Sequence, residues 1–356
     1  MSARCFISVV LLILAGFFVT ASAQTYIYFD APGAGTGFVQ GTMPEALNDA
    51  GQIAGSYSDS NSVSHGFLRE NDGTITTFDA PGAGTAANQG TLSRAINRAG
   101  WVAGMVLDSS NNLHGFLRKA NGKIIAFDFP GAISTGAAGI DGHGQVVGGY
   151  GDANGFHGYQ RKTDGTFLSF DVPGGSDTAP KGVNSAGQIV GFYQGSDKQS
   201  HGFLRNVDGS FVTFDPQGSV NTTPLAISAA GEIVGNYIDG NGNKHAFARL
   251  KNGTITSFDA PGSTGTFAGS VNKGGEIAGS FDPSSQAKAK VGPDGAAGFC
   301  FGQPVSGFLR LRDGTMTTFD VPGSLVTGPS GIDQAGNIAG SYLDGGCASH
   351  GFLLEP

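Results

Sequence analysis

The sequence predicts an all-β fold: a seven-bladed β-propeller of four-stranded antiparallel blades, its ring closed by the N-terminal strand pairing with the C-terminal blade. Three observations predict it. The dipeptide Phe-Asp recurs at the same place in seven successive units, mostly at spacings of 43 to 49 residues. The phrase Asn-x-x-Gly-x-(Ile/Val)-x-Gly, relaxed at its first position, recurs seven times in phase with it. The two ends of the chain carry complementary parts of one repeat. Units of about 45 residues built from short strands and turns fit blades set around an axis.

Composition agrees with a folded, exported repeat protein. The chain has 356 residues, which at roughly 150 per domain means two domains or one large repeat architecture. Glycine supplies 61 residues, without the three-residue period of collagen, and charged side chains only 13%. Hydrophobic residues reach 39%, with 26 Phe among them, enough for a core if distributed periodically. The formal charge of −8 leaves no basic footprint for phosphates, so nucleic acid is not an expected partner.

Residues 1–23 read as a signal peptide. Arg4 precedes an apolar run from Phe6 to Val19, and Ala21-Ser22-Ala23 supplies small residues for cleavage before Gln24. The run is short for a bilayer span and no second one follows, so the mature form is expected to have no membrane span and to be secreted, extracellular or periplasmic. Cys300 and Cys347 remain after cleavage and are expected to pair in an oxidising compartment.

Residues 24–356 form a single expected domain. The first strand, Thr25 to Asp30, is an orphan fourth strand. The first unit then offers a strand ending near Ala46-Leu47-Asn48, a turn at Ala50-Gly51, a second strand Gln52 to Tyr57 and a third at Gly66-Phe67-Leu68-Arg69. Asp72-Gly73 leads into a fourth strand at Thr74 to Phe78. Such a pair favours a two-residue hairpin turn with positive φ at both central positions. That turn sets Phe67 opposite Phe78, and the equivalent turns oppose five further aromatic pairs, Phe116 with Phe127 being the next. The last unit stops at Phe352-Leu353-Leu354 without a fourth strand, so Phe352 is expected to face Phe29 and remove two free sheet edges.

A third repeated phrase is His-Gly-Phe, at His65, His114, His157 (with Tyr159), His201 and His350, with His245-Ala246-Phe247 and Ser306-Gly307-Phe308 as variants. These phrases together resemble the HAF-repeat extracellular proteins of bacteria across essentially all of the mature chain. The resemblance implies export and repeat architecture, and no catalytic residues come with it. Ser306 departs from the pattern.

The repeated polar residues suit structure better than catalysis. The histidines lie in separate blades, too far apart to converge on one ion, so hydrogen bonding is expected and no metal or other cofactor. The Phe-Asp aspartates are expected to satisfy backbone donors at strand ends. A second carboxylate ring, Asp59, Asp108, Asp152, Asp197, Asp239, Asp282 and Asp344, reads as turn chemistry. Asp239-Gly240-Asn241-Gly242-Asn243 has oxygen ligands at alternate positions but lacks the closing Glu of an EF-hand loop. No hydrolase elbow, His-Glu-x-x-His or Cys-x-x-Cys motif is present.

A single site on a repetitive ring must come from positions where the copies differ. Before the small residue of each innermost strand stand Glu45, Arg94, Ala138, Lys181, Leu225, Gly269 and Ser330. Glu45, Arg94 and Lys181 are therefore the candidate ligand-binding residues, expected at a channel mouth on the face of the crossover loops. An insert from about 282 to 305 is expected to decorate the same face. The expected function is a monomeric, non-catalytic binding or adhesion module for extracellular glycan or a cell-surface protein. The alternative is a polysaccharide lyase or hydrolase using the same cluster.

Overall fold

The computed structural model describes residues 24–284 and 305–356, and every regular element among them is a strand. The leader 1–23, Cys300 and most of the insert lie outside the described residues. Antiparallel pairing runs in sets of four. The first unit joins Gly41–Leu47, Ile53–Ser58, Ser64–Arg69 and Ile75–Phe78 in order. The seventh consists of Val326–Ile332, Ile338–Leu343 and Ser349–Glu355, with Thr25–Phe29 as its fourth strand. Some units are joined further by single parallel bridges from a third strand to the next first strand: Ser64 to Gly90, Lys244 to Gly265, and Ser349 to Gly41.

The hairpin between third and fourth strands corrects the expected register by one residue. Glu70 N–H donates to the Thr74 carbonyl at 2.8 Å and Gly73 N–H to the Glu70 carbonyl at 3.0 Å, so three residues form the loop. Only Gly73, at φ +90°, takes the left-handed conformation. This is a type I turn followed by a glycine bulge, not a primed two-residue turn. Phe78 consequently faces Gly66, and Phe67 faces Thr77. The same shift holds at the chain ends, where Phe29 faces Gly351 and Tyr28 faces Phe352.

The new register explains the glycine of His-Gly-Phe. A Cβ on Gly66 would stand 2.5 Å from the Phe78 ring, so the ring lies where a side chain would be. Phe78 then reaches past its own sheet to Phe116 of the next unit, at 6.0 Å between centroids and 70° between planes. Fourth-strand and third-strand aromatics repeat this between Phe127 and Tyr159, Phe170 and Phe203, Phe214 and Phe247, Phe258 and Phe308, and Phe319 and Phe352. Phe29 makes the equivalent contact with Phe67 at 6.2 Å. Edge-to-face pairs of this kind contribute about 0.5 to 1.5 kcal/mol each beyond burial. The pairs expected within a unit, such as Phe67 with Phe78, are thus replaced by pairs between units.

Polar residues reinforce the same interfaces. Asn48 Oδ1 accepts from the Ala50 and Gln52 amides, closing its own turn, while its Nδ2 donates to the Asn97 carbonyl of the next unit at 2.9 Å. Asn97 repeats the reach to the Asp141 carbonyl at 3.0 Å. A side chain with both an acceptor and a donor is required for that double role, which accounts for Asn at this position.

Candidate functional site

All seven first strands line one cavity of about 270 Å³. Its wall repeats a small residue, as at Ala46, Ala95 and Gly139, followed by an aliphatic one, as at Leu47, Ile96 and Ile140. Immediately before the small residue, every first strand breaks register. The shift falls at Glu45, Arg94, Ala138, Lys181, Leu225, Gly269 and Ser330. Bulges re-aim a side chain and recur beside functional sites. The seven positions singled out by sequence are thus the seven bulge residues.

Arg94 and Lys181 both line the cavity, and Glu45 is held beside it by an ion pair from Arg94 Nη1 to Glu45 Oε1 at 3.3 Å. Burial pushes the Glu45 carboxyl above its usual value, partly offset by Arg94. Burial pushes the Lys181 ammonium down, and the Arg94 charge adds to that. The Lys181 Nζ lies 5.4 Å from the Phe192 ring centroid.

The expected face is corrected. Glu45 lies two residues before Leu47, which pairs with Ile53 next to the turn at Asn48, whereas Gly41, at the crossover-loop end, pairs with Ser58. The cluster therefore belongs to the turn end of the wall. The second strand of unit six, Ile277–Pro283, runs away from that end and delivers the start of the insert to the opposite one. The end differs from the expected one because the first strand runs from the crossover loop at Gly41 toward the turn at Asn48.

The histidines form a separate, repeated arrangement. His201 Nδ1 meets Asp215 at 2.7 Å and Nε2 meets Asp197 at 3.2 Å. His114, His157 and His350 likewise sit between two aspartates, Asp128 and Asp108, Asp171 and Asp152, and Asp30 and Asp344. His65 and His245 repeat it with a longer second approach. The Phe-Asp carboxylates thus accept from imidazole rather than from the expected backbone donors. In unit six Ser306 Oγ donates to Asp320 instead, at 3.3 Å. The second carboxylate ring closes turns, as where Asp59 accepts from the Asn61 and Val63 amides and Asp239 from those of Asn241 and Asn243, except at Asp282, which lies within the strand Ile277–Pro283 opposite Gly265. Among the described residues no group of three or more His, Cys, Asp or Glu is arranged to hold a metal ion.

Trp101 covers Gly144 of the next unit and carries Lys119 Nζ at 5.0 Å above its ring, so it packs between units. Cys347 is buried, at φ +65°.

No protein-family model and no curated protein matches the chain. Among solved structures it is similar to virginiamycin B lyase from Staphylococcus aureus, with a TM-score of 0.59 and 13% identity over 93% of this chain and 99% of that one. A streptogramin B lyase structure gives 0.57 and 14% over 93% and 98%. TolB from Acinetobacter baumannii gives 0.51 and 12% over 86% and 64%. At such identities the likeness concerns fold alone: the chain is all-β and propeller-like.

Proposed function

We propose that the chain is a secreted, closed seven-bladed propeller that serves as a non-catalytic binding or adhesion module for extracellular glycan or a cell-surface protein. In this reading it belongs with the HAF-repeat extracellular proteins, acts as a monomer without a cofactor, and loses residues 1–23 on export. Closure is supported by the pairing of Thr25–Phe29 with Ser349–Glu355 and by the Phe29–Phe67 contact, which matches the other six. A disulfide between Cys300 and Cys347 belongs to the same proposal, and mass measurement after alkylation with and without reductant tests it.

The observation that carries the binding reading is the asymmetry of the shared wall. Seven equivalent bulges surround one cavity, yet charge is confined to Glu45, Arg94 and Lys181. A symmetric scaffold needs no such departure, while a ligand site does. Glycan-array binding by the mature chain, set beside a screen for released reducing ends or unsaturated products, tests it. Binding without product supports the module.

The second reading, a polysaccharide lyase or hydrolase, is favoured by the raised proton affinity of Glu45, a property suited to a general acid. Product release abolished by Glu45→Gln with binding retained would establish that alternative.

A further inference from the structure

The charges at the bulges do not balance. Glu45 is engaged by Arg94, and among the described residues no carboxylate pairs with Lys181. The Lys181 ammonium remains open to water, but strands wall it in and the nearby Arg94 charge repels it. A cation in that position gains the face of the Phe192 ring but no negative charge, and an anion completes the arrangement.

We infer that this cavity takes a carboxylate-bearing sugar, with the ligand carboxylate paired to Lys181. The inference rests on the glycan-binding reading above and names its ligand class. One uncompensated cation matches a single negative charge better than a doubly charged phosphate, since Arg94 is already half neutralised by Glu45. A cavity of about 270 Å³ is close to the lower end of small-molecule sites, roughly 300 Å³.

Calorimetric titration of the full mature chain with trigalacturonate, a neutral galactose trimer and inorganic phosphate tests this. The inference expects trigalacturonate to bind at least tenfold more tightly than either of the others. Lys181→Met should weaken it at least tenfold, Lys181→Arg should restore it to within about threefold, and Glu45→Gln should tighten it by freeing Arg94. Unchanged thermal unfolding of the variants would show that the loss is not one of folding. Equal binding of the neutral trimer would overturn the carboxylate assignment and leave the glycan reading standing. Phosphate binding as tightly as trigalacturonate would also overturn it. Trigalacturonate binding unaltered by Lys181→Met would overturn the site, and failure of every glycan here and on the array would overturn both readings.

Discussion

Phe29 lies beneath the Arg69 guanidinium, with Cζ 5.0 Å from the ring centroid, although Phe29 belongs to the sheet that holds the last strand of the chain. The relation is one of a series: Arg118 covers Phe78, Arg161 covers Phe127, Arg205 covers Phe170, Arg249 covers Phe214 and Arg310 covers Phe258. Each arginine ends a third strand and caps the fourth-strand ring of the unit before it. The N-terminal strand therefore meets unit one as every other fourth strand meets its neighbour, except that Leu354 replaces the arginine in unit seven.

Phe29→Ala should destabilise the protein by about 2 kcal/mol, less than the 3 to 5 of a fully buried Phe because this ring is half-buried. Arg69→Met should cost about 0.5 to 1 kcal/mol by removing the cation–π contact. Denaturant midpoints of both, and of Phe78→Ala with Arg118→Met, measure whether the terminal interface equals an internal one.

Gly66→Ala should destabilise by about 1 to 3 kcal/mol, because the added methyl meets the Phe78 ring. Unit five carries Ala246 opposite Phe258, so Ala246→Gly should not produce a comparable loss. Equal effects at the two positions would contradict the packing described.

Asn48→Ala should cost about 1 to 3 kcal/mol, since it strands two turn amides and the buried Asn97 carbonyl together. Asn48→Asp keeps the acceptor and loses the donor, so it should recover only the turn. Thermal unfolding of the pair separates the two roles.

The imidazoles make stability depend on pH. For His114, His157 and His350 burial opposes the charge and two carboxylates overcome it; for His201 the Asp215 hydrogen bond leads and burial opposes. All four bind their proton more tightly folded than unfolded. Their contribution is therefore complete below the unfolded value, about 6.5, and is lost as pH rises through the raised folded values. The denaturation midpoint should fall from pH 6 to 9, and fall less when the four are replaced by Gln. At the acid end, hydrogen bonds from Asn112 and Asn243 hold Asp108 and Asp239 at about 2, so their contribution is present above about 3.9 and lost as pH falls toward 2.

Much of this architecture was legible because repetition multiplies weak signals. Strand positions, turn glycines and the complementary ends follow from phrases that recur in phase. The hairpin register did not follow, since Asp72-Gly73 suits both a primed turn and a type I turn with a bulge, and only the backbone hydrogen bonds at Glu70 distinguish them. The aromatic partners changed with it. Glu45, Arg94 and Lys181 were found as departures from the repeat, but their shared bulge and their end of the wall depend on strand pairing that no single sequence displays. The meeting of two aspartate rings on each repeated His was also hidden, because the partners lie 14 residues away on one side, or 320 for His350, and four to six on the other.

Hydrogen exchange at Thr25–Phe29 tests the closed ring most directly. Amides of this strand that pair with Ser349–Glu355 should be protected to the same degree as those of the fourth strands Ile75–Phe78 and Phe167–Phe170. Exchange there at the rate of an unstructured chain, with the internal fourth strands still protected, would contradict the closure.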